Sequence, residues 1–156
     1  MKLAWTLLVA AAVAAPAVTL TGDKALVIPA QDIKTQLDGL VAQAKPTGSA
    51  GPIIADYSNL SLMLSVRTAN GIGELHQTHD DLMIVEKGNA TLITGGSLVD
   101  PKTVSEGELR GTSVKGGVSK PLAPGDVVIV PAGLPHQILV PAGTVYQSLV
   151  AKVKEK

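Results

Sequence analysis

Residues 125–140 read Gly125-Asp126-Val127-Val128-Ile129-Val130-Pro131-Ala132-Gly133-Leu134-Pro135-His136-Gln137-Ile138-Leu139-Val140. Gly125 and Asp126 suit a tight turn, residues 127–130 are an unbroken apolar run of buried-strand length, and Pro131 to Pro135 form a second, rigid turn. His136 then opens a returning strand. Turn, strand, turn and strand in so short a stretch predict antiparallel β structure, with His136 at a strand end beside a stiff turn.

The rest of the chain repeats this grammar. Leu60, Leu62, Leu64 and Val66 alternate with Ser61, Met63, Ser65 and Arg67, the period of two that marks a half-buried strand. Further strands are expected over residues 82–86, 90–94, 110–114, 126–130, 136–140 and 144–153, with Gly or Pro at nearly every junction. Many short strands of this kind predict an all-β sandwich or barrel rather than a βαβ fold. Residues 97–120, Gly-bearing and charged, are expected to form a surface hairpin or loop between the two halves of the barrel. One segment departs from the period of two. Ile33, Leu37, Leu40, Val41 and Ala44 fall at helical spacing between Pro29 and the breaker Lys45-Pro46-Thr47-Gly48, which predicts a single amphipathic helix that packs on the domain.

Composition narrows the functions available. The 156 residues suffice for one domain, and 13 basic residues against 13 acidic leave no basic face for phosphates, which argues against nucleic acid as a partner. There is no cysteine, so disulfides, thiolate catalysis and sulfur-ligated metals are excluded, and any metal must sit on nitrogen and oxygen. With no Phe, two Tyr and one Trp, Trp5, the core is aliphatic and a stacking site for sugars or nucleobases is disfavoured. Met1-Lys2, an apolar alanine-rich run over residues 3–15 and Ala15-Pro16-Ala17 have the parts of a secretory signal peptide cleaved after Ala17. The expected organisation is a signal peptide over residues 1–17, an N-terminal extension with the helix over 18–57, and the β-barrel domain over 58–156. The expected location is outside the cytoplasm, in a periplasm, with no membrane contact after cleavage.

The three histidines, His76, His79 and His136, all fall at strand ends beside Gly-rich turns. In this the chain resembles the cupin family, whose small jelly-roll barrels carry two short motifs. The second runs Gly, five residues, Pro, one residue, Gly, two residues, His, and is matched without a spacing error by Gly125, Pro131, Gly133 and His136. The family's Asn four residues after the His is replaced by Val140. The first motif is degenerate: counting back from Gly88, Asp81 takes the Glu slot, His76 the second His slot and Glu74 the first. The resemblance therefore implies a cupin-type jelly-roll β-barrel with one N-terminal helix, and a metal site of Glu74, His76, Asp81 and His136. Glu74 and His76, two apart on a strand, face the same side, as joint ligation requires. Asp81 is one methylene shorter than Glu, and His79 reaches the site only if residues 77–80 curl inward.

Carboxylates clustered in a dry barrel repel one another unless cations or protons neutralise them, which favours a divalent ion; Mn, Fe(II), Zn, Co and Ni all suit nitrogen and oxygen donors. Ile138, Val140 and Met83 are expected to wall an apolar pocket with few hydrogen-bonding groups, suited to a small, partly apolar ligand. Two functions follow from the resemblance: a metal-dependent enzyme, dioxygenase-like or isomerase, and a non-catalytic metal or small-ligand binding module. A barrel that binds no metal, with the acidic residues as a solvated rim, is the third possibility. The exposed strand edges of so small a barrel also predict a homodimer.

Overall fold

In the computed structural model, which describes residues 18–19 and 25–155, the predicted helix forms α1 (Ala30–Ala44). The leader expected over residues 1–17 lies outside the described residues. Pro29 precedes the first turn of α1, where its missing N–H costs nothing, and Gly48, at φ +86°, closes the C-terminal end with its N–H donating to Ala44 O at 2.7 Å. Ile33, Leu37, Leu40 and Ala44 are buried along one face, as their spacing predicts.

Among the described residues, fifteen strands make up most of the remainder. In chain order they are β1 (Val18–Thr19), β2 (Ser49–Ala50), β3 (Ile53–Asp56), β4 (Leu60–Arg67), β5 (Gly73–His76), β6 (His79–Lys87), β7 (Ala90–Thr94), β8 (Ser97–Val99), β9 (Lys102–Ser105), β10 (Glu108–Gly111), β11 (Ser113–Lys115), β12 (Val118–Leu122), β13 (Val127–Val130), β14 (His136–Leu139) and β15 (Tyr146–Lys154). One sheet runs β1-β3-β4-β15-β6-β13, with β2 also on β4; the second runs β12-β7-β14-β5-β10-β9; β8 and β11 pair separately. All pairings are antiparallel except β1 with β3.

Two apolar layers result. Between the sheets lie Met83, Val85, Val128, Val130, Tyr146 and Val150 from the first and Ala90, Leu92, Leu122, Ile138 and Val140 from the second. On the outer side of the first sheet, α1 covers Ile54, Leu64 and Val66. Strand β4 is therefore covered on both sides, with Leu64 and Val66 buried and the alternate face partly buried. Its Leu/Val face packs under the helix, and its Met63, Ser65 and Arg67 face points into the sandwich.

Two expectations need correction. Residues 97–120 are more than a surface hairpin: β9 and β10 do form one, with β9 exposed, but β10 also pairs with β5 and β12 with β7, so the segment extends the second sheet at both ends. The expected boundary at residue 57 falls between the paired strands β3 and β4, because β2 and β3 belong to the first sheet. Among the described residues no helix is long and apolar enough to cross a membrane.

Leu37 is fully buried between α1 and the first sheet, so Leu37→Ala leaves a cavity that costs about 3 kcal/mol. Urea unfolding checks this, with a lower midpoint and an unchanged slope expected.

Candidate functional site

Strand register builds the site. On β5, Glu74 and His76 face the interior; β14 places His136 opposite Glu74, and on the other flank β10 places Arg110 opposite Glu74 and Glu108 opposite His76. The rigid turn predicted over residues 131–135 is clamped to β5 and β6. Gly133, at φ +76°, donates its N–H to His76 O at 2.7 Å, and Ala132 donates to Asp80 Oδ1 at 2.8 Å. This brings His76 and His136 together, with ring centroids 5.2 Å apart. From the facing sheet, β6 and β15 present Asp81 and Lys152 as cross-strand partners.

Donor atoms of Glu74, His76 and His136 lie within 4.8 Å of one another, in an arrangement able to hold a metal ion. Both imidazoles are oriented from behind. His76 Nδ1 lies 2.6 Å from Glu108 Oε2, an acceptor when ionised, so it donates; His136 Nδ1 donates to Leu134 O at 3.2 Å. In the neutral rings each Nε2 is left with a lone pair. Asp81 sits beside this trio, its Oδ2 3.2 Å from His76 Nε2 and 3.6 Å from His136 Nε2. Its Oδ1 accepts from Lys152 Nζ at 2.8 Å. His79, with Nδ1 3.0 Å from Thr78 Oγ1, is not among the converging donors.

The protein supplies its own counter-charges. Arg67 Nη2 is 2.9 Å from Glu74 Oε1, Arg110 Nη2 is 2.9 Å from Glu108 Oε2, and Lys152 Nζ holds Asp81. Three carboxylates thus meet three cations, and the expectation that clustered carboxylates need a metal for neutrality is not upheld. The donor set nevertheless fits a divalent ion on nitrogen and oxygen. Lys152 Nζ also lies 2.9 Å from His76 Nε2, so metal and ammonium compete for one lone pair.

These contacts set the protonation states. Burial opposes ionisation of Asp81, but the Nε2–H of protonated His76, together with the hydrogen bond and charge of Lys152, outweighs it and holds the carboxyl down at about 2. Burial also opposes protonation of His76, yet Asp81 and Glu108 raise its pKa above the ordinary histidine value. For His136 burial prevails and lowers the pKa, so the ring is neutral at pH 7.

The group opens on a cavity of about 230 Å³. Met83 and Ile138 wall it as expected, whereas Val140 is part of the core between the sheets. The expected scarcity of polar groups is not found: Ser65, Arg67, Arg110, Tyr146, Ser148 and Lys152 all reach the cavity. Sequence reasoning missed them for identifiable reasons. Arg67 sits on the face of β4 that seemed to belong to solvent, and Glu108 and Arg110 come from the segment expected to be a loop. Tyr146, Ser148, Val150 and Lys152 share one face of β15 by simple alternation, the signal that could have found them.

Asp81 is depressed from 3.8 to about 2, so it contributes about 2 kcal/mol that is present above pH 4 and lost as pH falls toward 2. Acid unfolding of the metal-free protein should show this loss, and Asp81→Asn should remove it from the pH profile.

No family model matches the sequence, and no curated protein matches it. Solved structures do. KdgF from Halomonas sp. aligns over 70% of this chain and 83% of its own, at 16% identity and a TM-score of 0.51. The polyketide cyclase RemF from Streptomyces resistomycificus aligns over 69% and 66%, at 14% identity and 0.50. A recombinant oxalate oxidase in complex with glycolate aligns over 71% and 53%, at 18% identity and 0.50, so this chain spans about half of its length. At such identities the likeness is one of fold. These neighbours are cupin-superfamily proteins, and the two-sheet jelly roll with its Gly125-to-His136 hairpin is the cupin fold.

Proposed function

We propose that this is a small-molecule-binding cupin whose cavity holds one divalent metal ion on Glu74, His76 and His136, with Asp81 joining once Lys152 withdraws. The observation that carries it is the convergence of two pre-oriented imidazoles and a carboxylate within 4.8 Å at the cavity. Two histidines and one carboxylate leave coordination positions open and form the donor set of non-haem iron oxygenases, which favours a dioxygenase-like activity over an isomerase. When bound, the ion would supply Lewis acidity to an oxygen-bearing ligand. Around it, Glu108 fixes the His76 tautomer and Arg67 and Arg110 orient Glu74. A second reading, a binding module without metal or turnover, is favoured by the Lys152 ammonium at His76 Nε2.

Titration of chelator-treated protein with zinc, manganese and iron(II) separates them. One ion per chain is expected, with affinity lower by about 10- to 100-fold in Glu108→Gln and higher in Lys152→Met. No metal in either the wild type or Lys152→Met would leave the metal-free module. With metal bound, oxygen uptake over a panel of small substrates that disappears in His136→Ala marks the enzyme; stoichiometric metal without turnover marks a metal-holding module.

We further propose that the chain is exported and homodimeric. Cleavage after Ala17 would leave Val18–Thr19, whose backbone pairs with β3. Strand β13 ends the first sheet and exposes Val127 and Ile129, an apolar edge that a second copy would cover. Full-length protein expressed in a Gram-negative host should be recovered from the periplasm with Val18 at its N-terminus. Light scattering should give the mass of two chains; a cytoplasmic, uncleaved or monomeric product refutes the corresponding part.

A further inference from the structure

Tyr146 and Ser148 are each about 1% exposed and line the cavity, and among the described residues their side-chain oxygens have no hydrogen-bond partner beyond each other. A buried hydroxyl without a partner costs stability, and such groups are rare unless a ligand or an ordered water completes them. The two sit on the same face of β15, and Arg67 is the cross-strand partner of Tyr146. Burial raises the Tyr146 phenol above its ordinary value, with Ser148 and Arg67 pulling it back, so it is a neutral donor at physiological pH. Of the Arg67 donors, Nη2 is engaged by Glu74, and a guanidinium carries five N–H groups. This corner therefore combines a guanidinium, partly engaged by Glu74, with two neutral hydroxyls. Beyond it the wall is apolar: Met63, Met83, Ile138 and Val150.

We propose that the cavity binds a small carboxylate, its anionic head on Arg67 with Tyr146 and Ser148 donating to it, and its short hydrocarbon body against Met63, Met83, Ile138 and Val150. The chemistry of the corner favours a carboxylate over an alcohol or an amide, because the guanidinium keeps N–H groups that Glu74 does not take and a charge-assisted hydrogen bond to them is stronger than a neutral one. At about 230 Å³ the cavity lies below the usual range for drug-sized ligands, so a molecule of a few carbons fits. This names the ligand class of the cavity described above, and its charge argument rests partly on the metal reading. Without metal, Glu74, Asp81 and Glu108 are balanced by Arg67, Arg110 and Lys152; a divalent ion that displaces the Lys152 ammonium would leave the cluster at +1, which a monoanionic ligand offsets.

The test is calorimetric titration with butyrate and with its uncharged counterpart butyramide, on chelator-treated and on zinc-treated protein. Butyrate is expected to bind at least about tenfold tighter than butyramide, and Tyr146→Phe and Ser148→Ala each to weaken butyrate by about tenfold. Both variants remove hydroxyls that have no partner outside the pair, so thermal stability should change little, which separates lost binding from lost fold. Butyrate bound no better than butyramide, or affinity unchanged in both variants, overturns the proposal and leaves the hydroxyls to water. Butyrate binding that responds to the variants while zinc fails to bind sustains the carboxylate site and removes only the metal. Zinc bound with no preference for butyrate does the reverse.

Discussion

The contact between Lys152 and Asp81 governs the interior of this barrel. Asp81 is nearly inaccessible to water, and a carboxylate there is tolerable only because the ammonium stands 2.8 Å away and His76 Nε2 3.2 Å away. That pairing fixes the electrostatic state of everything around it. Lys152 also reaches His76, His76 is held from behind by Glu108, and Glu108 is shared with Arg110. Removing one member of such a chain leaves a buried charge uncompensated, which costs more than the pair contributes. The site is a closed set of ion pairs that a cation can enter only by replacing one that the protein already provides.

Two imidazoles with their outer nitrogens anchored, and a carboxylate beside them, are what a divalent ion requires. The same atoms are satisfied without one. The proposed metal-bound state would differ from this one in the position of a single flexible side chain on β15, Lys152, whose four-carbon stem would let the ammonium withdraw without moving the backbone.

The first sheet shows why polar groups collect in the interior. Helix α1 occupies its outer face, so the most apolar side of β4, with Leu64 and Val66 fully buried, is spent on the helix rather than on the space between sheets. The opposite side, Met63, Ser65 and Arg67, is left to line the cavity with Tyr146 and Ser148 of β15. A helix on one side of the sheet thus leaves the cavity-facing side mixed in character, with an apolar wall and a charged corner.

Much of this was legible in the chain itself. Helical spacing located α1, alternation and Gly/Pro punctuation located most strands, and the Gly125-to-His136 spacing identified the hairpin that carries one histidine. The two-residue spacing of Glu74 and His76 correctly put them on one face. These are local properties, decided by backbone periodicity and turn chemistry within a few residues. Arg67, Glu108, Arg110, Tyr146, Ser148 and Lys152 were not found, because their role depends on which distant strands become neighbours and in what register. Alternation tells which residues of a strand share a side; only the assembled sandwich, with a helix on one side of β4 and β10 drawn in beside β5, decided which side was the inside.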